Sequence, residues 1–407
     1  MSALEGIRVI ELASERIAFA GKLMGDMGAD VILVEPPGGD PARGYAPFVD
    51  DVPGPDRSLY WLHYNTSKRS VVLDLDAPAD RERFRGLVAG ADVLIESEPV
   101  RRLATLGLDH ADLAPRAPGL VHAAVTPYGR SDPDSDLPCT DLTLMAGAGP
   151  VWSCGYDDHA LPPIRGGGNQ AWHTASHNAV MAVLTALLHR QMGGSGQFID
   201  VSIHAALNVC TEAASFSWLV AGETVQRQTG RHAAAVPTGP TQIRCADGRY
   251  VNTGVPPRFA VEFQRLLAWL EKLGLIEAFP ETVFLQMGAD WEGPFDLTKI
   301  GIDDTITAIF AAGREALILI ASRVTAYDFF IGCQEAGLTS GVIYAPEEAF
   351  EDVHFRARGM QVEVAHPEFG RTLRYPGAPY ALHGSPWRIQ RRAPRLGEHD
   401  GEILGSL

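Results

Sequence analysis

Short apolar runs alternate with amphipathic segments at the start of the chain. Runs of β-branched and aliphatic residues at 7–11 and 31–35 predict strands, and apolar residues at helical spacing over 17–27 predict a helix between them. Two strands joined by a helix in this way pair in parallel through a right-handed crossover. The pattern therefore predicts that the chain begins with a βαβ unit.

The same alternation continues to about residue 203. Further strands are predicted at 70–75, 92–96, 120–125 and 198–203, with a helix at 79–89. A long helix predicted at 173–191 is apolar on most of its faces, which indicates a helix buried in the core. Segment 130–165 is rich in Pro, Gly, Ser and Asp, and we expect it to be a loop.

The pattern changes after about residue 225. Helices are predicted at 260–273, 302–311 and 316–322, and strands at Tyr250–Thr253, near Val342 and at 360–364. We predict an α/β fold with a large parallel-sheet domain built from both chain ends (1–224 and 342–407) and an inserted smaller α/β domain (225–341). The tail at 376–395 is rich in Pro and Arg, has no periodicity, and is expected to wrap over a neighbouring surface.

Composition and charge exclude several classes of protein. Fifty acidic residues against 34 basic ones give a net charge of -16, which disfavours binding to nucleic acid. No apolar stretch is long enough to span a bilayer and no signal peptide is recognised, so we expect a cytoplasmic protein without a membrane partner. The five cysteines are scattered and form no CxxC pair, so neither a metal site nor a disulfide framework is indicated.

Several segments, in order along nearly the whole chain, resemble the class III CoA-transferase family, which includes formyl-CoA transferases, carnitine CoA-transferases and α-methylacyl-CoA racemases. The matching segments are GIRVIEL and GDMGADVILVEPPGGDPARG within 6–44, NTSKRSVVLDL at 65–75, ADVLIESEPVRRLATLGL at 91–108, LVHAAVTPYGR at 120–130, TALLHRQMGGSGQFIDVSIHAAL at 185–207, EAGLTSGVIYAPEEAFEDVHFRARGM at 335–360 and RAPRLGEHDGEIL at 392–404.

The resemblance implies a fold, a set of substrates and an assembly. The large domain would be a Rossmann-like sheet that binds coenzyme A, and the dimer would be interlocked, with each subunit threaded through a hole in the other. The substrates would be an acyl-CoA and a small carboxylic acid, with no metal. The dimer would be either a homodimer or a heterodimer with a homologous subunit.

Basic residues near the predicted strand ends are the candidate CoA contacts, because arginine forks bind phosphates and nucleotides bind at the carboxyl edge of a parallel sheet. These candidates are Arg16, Ile17, Arg43, Lys68, Arg69, Arg101 and Arg102. The turn after the first strand is one residue shorter than the A-G-P turn of many members, and Ser97 and Glu98 replace an Asn-Phe pair. Glu98 beside an anionic ligand is unfavourable, so either the CoA contacts or the ligand must differ.

A larger departure concerns the nucleophile of the family. Its transferases use an aspartate at the start of the long helix, which forms a mixed anhydride and then an aspartyl-CoA thioester. Counting back from Gly196 places this position at Ala171 or Trp172, and no Asp or Glu occurs between 159 and 199. Covalent carboxylate catalysis needs a carboxylate, so that step is lost at this position.

Other residues near this position can carry chemistry. His173 is a candidate general base on an acyl-CoA α-proton or a water, with Gln170 or Asn169 holding the thioester oxygen. Asp141 matches the aspartate of a G-H-D segment that the racemases use, but Thr140 replaces its His, which disfavours two-base racemisation.

The sequence leaves several functions open. We predict CoA transfer between an acyl-CoA and a free acid, by this chain itself or as a subunit that lacks the nucleophile. The alternatives are a non-catalytic partner subunit of a hetero-oligomeric transferase whose other subunit carries the aspartate, a racemase, isomerase or hydratase that uses His173, and an acyl-CoA sensor. Trp61, Trp152 and Trp172 indicate either a bulky acyl group or ordinary core packing.

Overall fold

A computed structural model of the chain describes residues 1–131, 135–211, 214–254, 256–293 and 295–406. The chain divides into two compact units. Unit 1 comprises Met1–Trp152, Ile164–Leu219 and Phe350–Leu407, and unit 2 comprises Ser153–Pro163 and Val220–Ala349.

The strands of the described residues are short, as is usual in an α/β fold. In chain order they are β1 (Arg8–Leu12), β2 (Asp30–Glu35), β3 (Lys68–Val72), β4 (Val93–Glu96), β5 (Val121–Thr126), β6 (Gln197–Ser202), β7 (Gln226–Gln228), β8 (Arg231–Ala234), β9 (Gln242–Arg244), β10 (Tyr250–Thr253), β11 (Ser340–Val342), β12 (Gln361–His366) and β13 (Arg371–Pro376).

The helices of the described residues vary more in length. They are α1 (Ala18–Asp26), α2 (Leu59–Tyr64), α3 (Pro78–Ala89), α4 (Arg102–Thr105), α5 (His110–Leu113), α6 (Asp141–Ala148), α7 (Gln170–Gln191), α8 (Ile203–Asn208), α9 (Ala214–Phe216), α10 (Ala260–Lys272), α11 (Thr282–Ala289), α12 (Asp304–Ala321), α13 (Ala326–Ala336), α14 (Pro346–Glu351), α15 (Val353–Ala357) and α16 (Asp400–Ile403). Short 3-10 turns lie at Pro41–Gly44, Val49–Asp51, Leu297–Lys299, Pro367–Phe369 and Leu404–Ser406, and a π turn at Ser217–Ala221.

Unit 1 is built on a parallel sheet of six strands in the order β3-β2-β1-β4-β5-β6. This confirms the predicted βαβ start and the parallel sheet. The strand order reverses at β1, where Val9 pairs with Val31 of β2 on one side and with Val93 of β4 on the other. In open parallel sheets, ligands bind at such a reversal, beyond the carboxyl ends of the two strands.

Both faces of this sheet are covered, so its strands β2, β4 and β5 are mainly apolar. Alternate residues such as Val9 and Ile95 point into a core shared with α7, whereas Ile10 and Leu94 point to the opposite face and pack with Phe84 of α3. Burial removes these side chains from water and contributes about 1.5–3 kcal/mol for each large one.

Helix α7 is buried on one side only. Ala175, Ala179 and Val183 follow helical spacing and are fully buried against the sheet. Met181 and Leu188 are 59% and 56% exposed on the other side. The predicted helix thus lies in the core of unit 1, but only on one side, because an apolar residue type does not by itself show which side of a helix meets the core.

Unit 2 contains an antiparallel sheet in the order β11-β10-β9, a β7–β8 hairpin and helices α10 to α13. Its core is built around Phe263, Leu266 and Phe329, which are fully buried. The two helices predicted at 302–311 and 316–322 are one continuous helix, α12, and α11 and α13 were not predicted.

The predicted loop at 130–165 contains helix α6. The Thr140 hydroxyl accepts a hydrogen bond from the backbone N–H of Thr143, and the Thr143 hydroxyl accepts one from the backbone N–H of Thr140, which caps the start of the helix. Gly149 ends it with a left-handed backbone conformation (φ 108°). The loop prediction is wrong over α6 because its residue types are typical of loops, while the caps stabilise a helix. Residues 132–134 of the same segment lie outside the described residues.

The Pro- and Arg-rich tail runs along the β3 edge of unit 1. Backbone N–H groups of Ser67 and Arg388 donate to the carbonyls of Arg391 and Asp26, at 2.9 and 3.1 Å. The prediction that this segment wraps over a neighbouring surface is confirmed within unit 1. Among the described residues, no helix is both long enough and apolar enough to cross a membrane.

Candidate functional site

The reversal of strand order brings together the loops that follow β1 and β4. After β1, Ile17 is fully buried and its side chain belongs to the core, where it precedes α1. Arg16 is half-buried, and its guanidinium carbon lies 5.9 Å from the ring centroid of Trp172. Its Nη2 lies 3.9 Å from the Sγ of Cys139. Arg16 therefore connects the switch-point loop to the start of α7.

The segment after β4 carries the acid Glu98 and the cations Arg101 and Arg102. Arg102 pairs with Glu98 (Nε to Oε2, 3.3 Å) and with Asp76 (Nη2 to Oδ2, 3.0 Å), and Arg101 is exposed. Burial and the neighbouring Glu96 raise the pKa of Glu98, while Arg102 and Arg16 lower it. Arg16, Arg101 and Arg102 are thus the predicted CoA contacts that lie at the switch point.

Arg43 is enclosed by its own chain. Its Nε and Nη2 donate to the two carboxylate oxygens of Glu35, both at 2.7 Å, and its Nη1 donates to Asp56 at 2.8 Å. The guanidinium stacks 3.7 Å from the Trp61 ring centroid and donates to the Pro394 carbonyl. With only 2% of its surface exposed, Arg43 holds the end of β2, the following turn and the tail together.

Lys68 is fully buried. Its Nζ donates to Glu11 Oε1 at 2.7 Å, to the Ala18 carbonyl at 2.8 Å and to Asn65 Oδ1 at 2.9 Å. A Cβ on Gly21 would lie 1.6 Å from Glu11 Oε2, so this contact requires glycine there. Burial raises the pKa of Glu11 to about 7 despite the opposing effect of Lys68, and it lowers the pKa of Lys68.

Arg69 is also engaged within the chain, with Asp30 at 2.6 Å and with Glu402 at 2.7 Å. Arg43, Lys68 and Arg69 thus have charge partners of their own. Position next to a strand end indicated them as ligand contacts, but strand ends also bring carboxylates such as Glu11 and Glu35 together, which the sequence does not reveal.

Asp141, the first residue of α6, lies next to the start of α7. Asp141 Oδ1 accepts a hydrogen bond from the Ala171 backbone N–H at 2.7 Å, and Oδ2 pairs with Arg165 Nη1 at 3.1 Å. Ala171 and Trp172, the two positions predicted for the family nucleophile, are 0% and 4% exposed. Asp141 therefore caps the helix, and both of its oxygens are engaged.

His173 lies on α7 one residue beyond these positions. Its Nε2 lies 2.8 Å from the hydroxyl oxygen of Tyr64, and its ring stacks on Phe19 with centroids 4.3 Å apart. Burial, and then His177, lower the pKa of His173, which favours the neutral imidazole. Gln170 is exposed, and its side chain donates to the Gly167 carbonyl at 3.2 Å.

Two tyrosines of α2 complete this network and were not predicted. Asn169 Nδ2 donates to the hydroxyl of Tyr60 at 2.8 Å, and burial raises the pKa of both Tyr60 and Tyr64. The signal was available in the sequence, because tyrosines four residues apart lie on one face of a helix. His173, Tyr64, Asn169 and Tyr60 form a network of neutral hydrogen-bonding groups that suits a thioester or carbonyl oxygen.

Glu15 is a further unpredicted site residue, on the loop after β1. It lines a small depression together with Asp40, Trp61 and Asn65. It is half-buried near Tyr45 and Tyr60, and burial, followed by the charge of Glu15, raises the pKa of both tyrosines. Within the part of the chain that the structure describes, no group of His, Cys, Asp and Glu could hold a metal ion.

The strand order defines an α/β protein with a six-stranded parallel sheet. A family model described as CoA-transferase family III matches residues 4–400, so the chain belongs to this family. It is 32% identical to the protein named succinyl-CoA:(R)-benzylsuccinate CoA-transferase subunit BbsE of Thauera aromatica, over 98% of this chain and 92% of that protein. It is 30% identical to a succinate–glutarate CoA-transferase of Agrobacterium fabrum, over 99% and 95%.

A solved structure shares the fold. The crystal structure of a CAIB/BAIF family protein from Brucella suis matches with a TM-score of 0.78 at 24% identity, over 100% of this chain and 99% of that one. This match supports the six-stranded parallel sheet as the architecture of unit 1.

Proposed function

We propose that this chain takes part in the transfer of coenzyme A between an acyl-CoA thioester and a free carboxylic acid. The observation that carries the proposal is the neutral network of His173, Tyr64, Asn169 and Tyr60 at the start of α7, where the guanidinium carbon of Arg16 lies 5.9 Å from the ring centroid of Trp172. In a CoA-transferase family member, that combination provides donors for a thioester oxygen beside cations for phosphates.

We assign the phosphates of CoA to Arg16, Arg101 and Arg102. These cations lie at the switch point, and Arg101 has no carboxylate partner among the described residues. Replacement of Arg101 by Ala should raise the KM for the acyl-CoA with little change in kcat, since it removes binding common to substrate and transition state. His173 then positions the thioester, because its neutral form can donate through a ring N–H.

A dimer is the working form we propose, interlocked as the family resemblance implies, with the smaller domain inserted into the larger one. The partner is a second copy or a homologous chain. The second arrangement is favoured by the relative named as a subunit of succinyl-CoA:(R)-benzylsuccinate CoA-transferase, and by the lack of Asp or Glu between 159 and 199. In that arrangement the homologous chain supplies the carboxylate and this chain supports it.

The test is mass spectrometry of the purified chain incubated with a panel of acyl-CoAs and free acids. New thioesters formed by this chain alone would support catalysis within the chain. New thioesters only after addition of a homologous chain with the family aspartate would support the subunit arrangement. Binding of CoA without exchange in either mixture would contradict the proposal and leave an acyl-CoA sensor.

A further inference from the structure

The acids at the carboxyl ends of β1, β2 and β4 and at the start of α7 differ in whether they are free to react. Asp141 is tied to the Ala171 N–H and to Arg165. Glu11 is buried against Lys68, and Glu98 is paired with Arg102. A carboxylate held by a cation and hydrogen bonds is a weak nucleophile, because its charge is already stabilised.

Two further acids are also occupied. Glu96 is fully buried and pairs with Arg130 at 3.1 Å. Asp40, 6% exposed, accepts the Ala42 N–H at 2.6 Å as the cap of a 3-10 turn. These groups shape the sheet edge and are not available to a substrate.

Glu15 is different. Among the described residues it forms no ion pair, and it is half-buried on the loop at the switch point. The hydroxyl of Tyr45 is among its neighbours, and the ring centroids of Tyr45 and Tyr60 lie 5.3 Å apart. Tyr60 in turn accepts from Asn169, at the first residue before α7.

We propose that the carboxylate of Glu15 is the nucleophile of this chain and takes the place of the aspartate that the family carries on the long helix. This inference rests on the proposed function, in the form in which this chain itself catalyses the transfer. The nucleophile would lie on the loop after β1 instead of on α7, and the substrate would still bind beside the start of α7.

The chemistry balances at each step. Glu15 attacks the acyl carbonyl of the acyl-CoA, and the C–S bond breaks. CoA leaves as thiolate, and the acyl group remains on Glu15 as a mixed anhydride. The thiolate attacks the glutamyl carbonyl, which releases the first acid as carboxylate and leaves a glutamyl-CoA thioester. The acceptor carboxylate then attacks that thioester, which releases CoA thiolate and forms a new mixed anhydride. The thiolate attacks the acceptor carbonyl of this anhydride, which forms the product thioester and releases the free Glu15 carboxylate.

The neighbouring groups suit these steps. Each one exchanges one anion for another, so no proton has to be moved to or from Glu15. The tetrahedral oxyanions need donors, and the hydroxyls of Tyr60 and Tyr64 and the amide of Asn169 lie next to one another for that role. Arg16, the next residue, lies 5.9 Å from the Trp172 ring centroid at the start of α7, where its positive charge would stabilise the departing thiolate.

The experiment traps the glutamyl thioester. The full chain is incubated with succinyl-CoA, treated with borohydride, which reduces an enzyme-bound thioester to an alcohol, and digested with trypsin. Arg8 and Arg16 release the peptide 9–16, which contains both Glu11 and Glu15. We expect reduction at residue 15 and none at residue 11, since Glu11 is buried and paired.

Two variants sharpen the result. Glu15→Gln should abolish trapping and lower exchange on the order of 10³-fold or more, as expected for loss of a nucleophile. Glu363→Gln, at an exposed position of β12, removes the same charge away from the site and should leave both unchanged. Unchanged circular dichroism and Tm of Glu15→Gln would show that the loss is chemical.

The outcomes separate this inference from the proposed function. Exchange that survives Glu15→Gln, or trapping at Asp141, would overturn Glu15 as nucleophile while CoA transfer stands. Absence of both trapping and exchange in the chain alone would also overturn it. Exchange restored only by a homologous chain with the family aspartate would then support the subunit arrangement.

Discussion

Glu11 and Glu15 are four residues apart, yet they belong to two regions with different properties. Glu11, on β1, is fully buried, paired with Lys68 and pressed against Gly21. Glu15, on the loop that follows, is half-buried near Tyr45 and Tyr60 and has no cation partner among the described residues. We call the first region, with Glu11, Lys68, Glu35 and Arg43, the paired region, and the second, with Glu15, Tyr60, Tyr64 and His173, the open region.

The comparison shows that residue type and nearness to a strand end do not separate structural charges from functional ones. The paired region contains cations that look suited to phosphates, but each has an internal carboxylate at 2.7 Å. In the open region, His173 is bonded to Tyr64 and Tyr60 to Asn169 by neutral hydrogen bonds, which a substrate can replace at a small cost in free energy.

The largest expected effect comes from breaking the buried pair. Lys68→Met leaves the Glu11 carboxylate buried without its cation and should lower the free energy of unfolding by about 3–5 kcal/mol. Unfolding in denaturant measures this change in the free energy of unfolding. The double variant Glu11→Gln, Lys68→Met removes both charges and should recover part of the loss. A single variant as stable as the wild type would contradict the paired region as a structural unit.

A smaller loss is expected at Arg43. Arg43→Lys keeps the charge but loses the two-pronged contact with Glu35, the Asp56 contact and the stacking on Trp61, and should cost about 1.5–3 kcal/mol. Its matched control is Arg101→Lys, at an exposed position, which should stay within about 0.5 kcal/mol of the wild type. If the two substitutions lowered the free energy of unfolding equally, the distinction between paired and unpaired arginines would be contradicted.

The stability of the protein should depend on pH through His63, which precedes Tyr64 of the open region on α2. Burial lowers the pKa of His63 to about 3, below its ordinary value of 6.5. Between these values the unfolded chain binds the proton more readily, so this contribution to stability is present above pH 6.5 and is lost as the pH falls towards 3. His63→Gln should unfold with a weaker pH dependence below pH 6.5, measured by denaturation at several pH values. A slope identical to that of the wild type would show that His63 does not titrate in this way.

The smallest effect on stability is expected at Tyr64. Tyr64→Phe removes the hydrogen bond to His173 but keeps the ring packing, and should cost about 0.5–1.5 kcal/mol. The pKa of His173, followed by NMR, should change as well, because the imidazole loses its partner. The control is Tyr327→Phe, at a position 46% exposed in unit 2. If the titration of His173 were unchanged, the Tyr64 contact would not hold the imidazole.

Sequence patterns predicted the strands of unit 1 more reliably than the site. Strand positions follow from runs of apolar residues, and the ends of the six strands of the parallel sheet lie within about three residues of the predictions, as at β2 (Asp30–Glu35) and β3 (Lys68–Val72). Helix α6 was missed, because its Thr140 cap lies in a segment rich in loop-forming residues. His173 lies at the predicted place, whereas Tyr60 and Glu15 enter the site through contacts with residues far away in the sequence.

The amino-acid sequence by itself determined the alternation of strands and helices, the family, and the lack of an acid between 159 and 199. These follow from local periodicity and from residue identity, both of which can be seen along the chain. Only the tertiary structure decided which charges are paired. Lys68 meets Glu11 across 57 positions and Arg43 meets the tail carbonyl of Pro394 across 351, because the sheet and its wrapping tail bring them together. Whether a charged group is bound internally or open to a substrate depends on burial and on partners, and the fold sets both.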